Sequence, residues 1–163
     1  MSGTGRENQL HGAHGEQLAS SVLVGMGVND PEKIGTPVQL TPYFKYGKKA
    51  PEKGVFRVKF GEKVSGDRRG VLDNGISVLI EVKTLLDKDR IIFSDMRDHQ
   101  PERLARHASY GKALSLLVWV HSSGVYAMRF PIAGFGPGKS IKLKQAIDLH
   151  FETTKWIREN GSV

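Results

Sequence analysis

The chain has 163 residues, with 24 lysines and arginines against 17 aspartates and glutamates, and no cysteine. That length suits one domain with a core of its own, and the net charge of +7 favours an anionic partner, either nucleic acid or a membrane surface. Without cysteine there are no disulfides or thiolate metal sites. A bound metal must then rely on carboxylates, carbonyls, water or histidine, which points to Mg2+ or Mn2+. No run approaches 18 consecutive apolar residues and the first residues lack the apolar centre of a signal peptide, so the expectation is a cytoplasmic protein with no membrane partner.

Residues 1–11 are polar and glycine-rich and predict a flexible N-terminal arm. From His14 onward Leu18, Ala19, Val22, Leu23 and Met26 recur at helical spacing, and the helix should stop near Gly27 and the Asn29-Asp30-Pro31 breaker. Glu16 falls in phase with Ala19 and Leu23, on or beside the apolar face; on residue statistics alone a solvated first-turn carboxylate favoured by the helix dipole is the commoner reading.

Between Leu40 and Val64 lie Lys45, Lys48, Lys49, Lys53, Arg57, Lys59 and Lys63 against only Glu52 and Glu62, interleaved with Tyr43, Phe44, Tyr46, Phe56 and Phe60. Val55 to Phe60 alternates in strand fashion next to a Pro51-Glu52-Lys53-Gly54 turn, which predicts an exposed, basic, aromatic β-hairpin.

Asp67-Arg68-Arg69-Gly70-Val71-Leu72, then Asp73-Asn74-Gly75, then Ile76 to Lys83 predict a second hairpin. If the turn uses three residues with Gly75 left-handed, Leu72 opposes Ile76 and Asp67 opposes Glu81. Directly opposed carboxylates, with Cβ atoms about 5 Å apart, repel unless a cation sits between them. Lys83 projects from the same face as Glu81, whereas Val78, Ile80 and Val82 point the other way. A two-residue Asn74-Gly75 turn would instead set Asp67 against Val82. Such a pair of carboxylates with a nearby lysine suits phosphodiester hydrolysis, in which a metal activates water and the lysine supplies positive charge. Glu-x-Lys alone is also common on the solvent face of an edge strand.

Downstream, Asp98 should cap a helix running to about Tyr110, with Pro101 in its first turn and Gly111 as its stop. Leu114 to Val120 and Val125 to Phe130 read as paired strands, and Leu143, Ile147 and Phe151 mark a final helix with Trp156 near its end. Ala133 to Ser140 fits a relaxed Walker A pattern. Too few residues follow for a P-loop fold, so the expectation is a glycine-rich connection capped by Ser140 and no nucleotide cofactor.

An aspartate, a hairpin and Glu81-Val82-Lys83 resemble the PD-(D/E)xK nuclease signature. Together with Thr36-Pro37-Val38-Gln39, the basic excursion, Asp67-Arg68-Arg69-Gly70-Val71 and His99-Gln100, in that order and at close to those spacings, the chain resembles a RecU-type Holliday junction resolvase over roughly residues 11–132. The resemblance implies an α/β, restriction-endonuclease-like fold, a mixed central β-sheet flanked by helices with a protruding basic stalk. It implies a nuclease domain over 12–133, the stalk at about 40–64, and a connection and helix over 134–163 with no counterpart. It makes Asp67, Glu81 and the Val82 carbonyl ligands of Mg2+ (or Mn2+), with Glu16 completing the site directly or through water. Lys83 becomes the catalytic lysine, and Gln100 the support of the metal or the scissile phosphate.

Its DNA contacts would fall on Lys45, Lys48, Lys49, Lys53, Arg57, Lys59, Arg68, Arg69 and His11. His11-Gly12 stands where the family tends to have Arg-Gly, so a phosphate contact there is lost or becomes pH-dependent. The expected activity is metal-dependent cleavage of four-way DNA junctions by a homodimer. Two alternatives use part of the same pattern: a basic module that binds branched DNA without cutting, and a nuclease of the same fold acting on other DNA structures.

Overall fold

A computed structural model describes residues 4–33, 38–42, 56–60 and 68–162, with side chains described over 14–29, at 31 and over 68–162. Chain contacts divide it into two compact units, one of residues 1–33 with 65–163 and one of residues 34–64.

The larger unit is built on a five-stranded mixed sheet. Its strands are β1 (Val28–Lys33), β4 (Arg68–Leu72), β5 (Ser77–Thr84), β7 (Ala113–His121) and β8 (Gly124–Phe130), adjacent in that order. Only β5 and β7 are parallel, Glu81 aligning with Leu117 and Lys83 with Trp119; the other neighbours are antiparallel. The parallel pair lies inside the sheet: Leu114 to Val120 of β7 is buried without a break, and Val78, Ile80, Glu81 and Val82 of β5 are buried.

Helix α1 (Thr4–Gly25) lies on one face and places Ala19 and Leu23 in a core with Val78, Ile80, Val82, Leu116 and Val118. On the other face α2 (His99–Ala108) sets Leu104 in a second core with Leu117, Trp119 and Met128, joined by Ile91 and Ile141. These last two residues belong to a small antiparallel pair, β6 (Arg90–Ile92) with β9 (Ser140–Lys142). Helix α3 (Leu143–Asn160) packs on β8 and gives Ala146 to the second core and Ile157 to the first.

Several expectations are corrected. The first helix begins at Thr4, so most of the expected arm is helical. Arg6, Glu7, Gln9 and Leu10 are good helix formers, and once Ala19 and Leu23 dock, extending an existing helix is far easier than starting one. Asn29-Asp30-Pro31 does not break the chain but lies within β1, an edge strand whose register shifts between Asn29 and Glu32. An edge position tolerates a residue that lacks an N–H.

Asp98 precedes α2 without a side-chain capping bond, and α2 ends at Ala108 rather than near Tyr110. Ser140 starts β9, not a helix, and the strand that follows the glycine-rich loop removes the geometry a P-loop requires. On α3 the buried positions are Ala146, Thr153 and Ile157, whereas Phe151 is 67% exposed.

The end of α3 returns to the β4–β5 turn. The Asn74 side chain donates to the Asn160 carbonyl, and the Asn74 N–H lies 3.3 Å from the Gly161 carbonyl.

In the smaller unit β2 (Val38–Pro42) pairs antiparallel with β3 (Phe56–Phe60), Thr41 opposing Arg57 and Gln39 opposing Lys59. By strand alternation those four positions share one face, and Val38, Leu40, Pro42, Phe56, Val58 and Phe60 share the other.

Candidate active site

The β4–β5 hairpin has the register that a three-residue turn predicts. Arg68 opposes Ile80 and Val71 opposes Ser77. The Leu72 N–H donates to the Ile76 carbonyl (2.9 Å) and the Gly75 N–H to the Leu72 carbonyl (2.8 Å). Gly75 has φ +82°, the left-handed conformation that glycine adopts without strain, and the Asn74 side chain accepts the Ile76 N–H. This register fixes which β5 residues share a face. Val78, Ile80 and Val82 enter the α1-side core, while Leu79, Glu81 and Lys83 face α2.

Glu81 is 1% exposed. A carboxylate taken so far from water must be paired and hydrogen-bonded. Lys83 Nζ lies 2.9 Å from Glu81 Oε1, and the Gln100 carboxamide donates to the same oxygen. Gln100 Oε1 in turn accepts from Lys83 Nζ (2.8 Å) and from the Arg97 N–H (2.8 Å). The three side chains close a ring. The two donors fix the carboxamide orientation, because a flipped amide would turn its NH2 against an ammonium and an N–H. Gln100 is held in the first turn of α2 and is itself buried, so helix and strand are locked together through this one residue.

Glu81, Lys83 and Gln100 are thus brought together. Val82 is buried beside them and pairs with Val118 in the β5–β7 ladder. Glu16, on α1, meets Arg68 at 3.8 Å, and Arg68 also donates to the Pro31 carbonyl (2.8 Å). Arg68 opposes Ile80 and so sits on the α1 side, where it ties α1, β1 and β4 together. Arg69, one residue on, is exposed and opposes Leu79 on the face of Glu81.

Asp67, Lys45, Lys48, Lys49 and Lys53 lie outside the described residues. Arg57 and Lys59 fall on β3 and His11 on α1, with their side chains outside the described set. Among the described residues no group of three or more His, Cys, Asp or Glu side chains is clustered for a metal, and no helix is long and apolar enough to cross a membrane. Carboxylate and carbonyl oxygens such as those of Glu81 and Val82 are the donors a hard cation would take.

Other polar contacts were not anticipated from the sequence. His107 Nδ1 lies 3.0 Å from Ser115 Oγ and its Nε2 3.2 Å from Ser77 Oγ. Ser115 Oγ donates to the Leu104 carbonyl, so it accepts from Nδ1–H and leaves Nε2 to accept from Ser77. Burial pushes the His107 pKa below its ordinary value, in keeping with that neutral tautomer. Near β8 the Arg129 guanidinium stacks over Trp156 (5.1 Å), beside a cavity of about 280 Å3 also lined by Ile132, Leu149 and Thr153. Residues 77, 107, 115, 129 and 156 carry no spacing pattern, so no sequence signal could have joined them.

Comparison with protein-family models finds no match to this chain, and comparison with curated proteins finds none either.

Proposed function

We propose that the protein is a metal-dependent endodeoxyribonuclease that resolves four-way DNA junctions. The observation that carries this reading is the buried ring of Glu81 and Lys83 on β5 with Gln100 on α2. The mixed sheet flanked by helices is the coarse architecture that the resemblance implies.

In this reading Glu81, the Val82 carbonyl and Asp67 would hold Mg2+ or Mn2+, while Glu16 stays with Arg68 on the α1 side of the sheet. A metal bound there would supply water activation and positive charge. Lys83, held by Gln100 at 2.8 Å, presents its ammonium next to the scissile phosphate and stabilises the negative charge that develops on it. Gln100 sets the separation of Glu81 and Lys83, and the Arg97 N–H keeps Gln100 in place. Paired incision of a symmetric junction calls for two such sites at a fixed spacing, which a two-fold homodimer supplies.

The test is a labelled four-way junction incubated with Mg2+. Paired incisions near the crossover that disappear in Asp67→Asn are expected, and an intact junction with the unaltered protein would sink the reading. Comparing flaps and linear duplexes separates a resolvase from a nuclease of other DNA structures.

One observation favours a second, non-cleaving reading. Glu81 Oε1 is satisfied by Lys83 and Gln100 without a metal, as in a structural ion pair. That reading predicts junction binding unaffected by Mg2+ and by Glu81→Gln.

A further inference from the structure

We infer that the face of the sheet over β4, walled by α2, is a track for a nucleic-acid backbone that leads to Lys83. It rests on the proposed nuclease function only for what lies at the end of the track.

Three observations build it. First, α2 packs over β5, β7 and β8, while on the β4 strip of that face Arg69 and Val71 are both exposed, Val71 opposing Ser77. The floor is therefore Arg69 and Val71 beside Leu79 and Ser77.

Second, α2 runs antiparallel to β5, because Gln100 touches Glu81 and Lys83 while His107, two turns on, touches Ser77. Those two contacts identify the flank of α2 that faces β5. At about 100° per residue, His99, Arg103 and Arg106 fall in one stripe next to that flank. Asp98 and Glu102 fall on the far side of the stripe.

Third, the cations of the stripe are available. Arg106 is exposed and Arg103 half-buried, and neither is in a salt bridge among the described residues. From His99 to Arg106 the helix advances about 10 Å, or about three nucleotide steps of one strand at 3.4 Å each.

Arg69 on one side and Arg103 and Arg106 on the other make a trough whose charge suits phosphates. Apolar Val71 suits sugar or an unstacked base. The trough ends at Lys83, so a strand lying in it delivers a phosphate to the buried ring. Lys112 is exposed just past Tyr110 and prolongs the basic path beyond the helix.

The test measures binding without cleavage: fluorescence anisotropy of a labelled four-way junction in EDTA over about 50–200 mM salt. Arg103→Glu with Arg106→Glu is compared with Lys144→Glu with Arg158→Glu, an equal charge change at exposed positions of α3. The α2 pair should weaken binding at least tenfold more than the α3 pair. It should also reduce the slope of log affinity against log salt by about two, since each phosphate contact contributes about 0.9. Equal losses in the two pairs, no loss in the α2 pair, or no binding by the unaltered protein would each overturn the track. Binding lost through the α2 pair, in a protein that never cuts with Mg2+, would uphold the track and reject the nuclease. An unchanged thermal midpoint in both pairs shows that the effect does not come from unfolding.

Discussion

Gly15 sits in α1 where the helix crosses β5, and replacing it with alanine sets two effects of opposite sign against each other. Helix propensity alone favours alanine over glycine by about 1 kcal/mol. A Cβ at position 15, however, would lie 2.3 Å from Thr84 Oγ1, 2.9 Å from its Cγ2 and 3.2 Å from its Cβ. Turning the Thr84 side chain relieves the first two contacts but not the third, so the helix itself must move.

Overpacking of this kind costs about 1–3 kcal/mol. The net expectation for Gly15→Ala is a loss of about 0–2 kcal/mol, or at most a few degrees of melting temperature. Thr84→Ala alone should cost under about 1 kcal/mol, and the double variant should recover most of the Gly15→Ala loss, with a coupling above about 1 kcal/mol. Urea denaturation of the four proteins measures it. A Gly15→Ala protein about 1 kcal/mol more stable than the original would refute the close approach of α1 to β5.

Two further outcomes follow from the site and from the buried imidazoles. Gln100→Met keeps the shape of the side chain but removes its bonds to Glu81 and Lys83; leaving a buried carboxylate short of a donor costs about 1–3 kcal/mol. Cleavage, where present, should fall about 10–100-fold, as when a residue that orients a metal ligand is lost; urea denaturation and junction cleavage read the two effects separately. Burial lowers the pKa of His107 and of His150, whose Nδ1 accepts the Ala127 N–H. Between each lowered value and the ordinary 6.5 the unfolded chain binds more protons than the folded one. Stability is therefore retained above about 6.5 and falls as pH drops through that window. Denaturation midpoints at pH 7.5 and 5.5 should show a drop that shrinks in His107→Gln with His150→Gln; an identical drop in the double variant would contradict it.

The β4–β5 hairpin was legible because its information is local: a glycine that can take φ +82° closes a three-residue turn, and side-chain alternation does the rest. The ring at Glu81 was legible only in part. Glu81 and Lys83 are two residues apart, but Gln100 reaches them by way of tertiary packing and entered only through the resemblance. Strand β1 was hidden by Pro31, which reads as a breaker until an edge position makes its missing N–H harmless. Strands β6 and β9 are three residues each and pair across about 50 residues of chain, too short to show a period. The misphased face of α3 has a chemical cause. Its buried stripe includes Thr153, a polar residue whose hydroxyl donates to the Leu149 carbonyl and accepts the Arg129 N–H, so an apolar criterion passes over it and selects Phe151.

The clasp between Asn74 and residues 160 and 161 has a consequence for synthesis on the ribosome. The turn that sets the facing of Glu81 and Lys83 gains these two hydrogen bonds only after almost the whole described chain has emerged. Ile157, which fills the α1-side core, arrives equally late. A nascent chain halted anywhere before α3 would therefore carry the hairpin with its tip unfastened and that core incomplete.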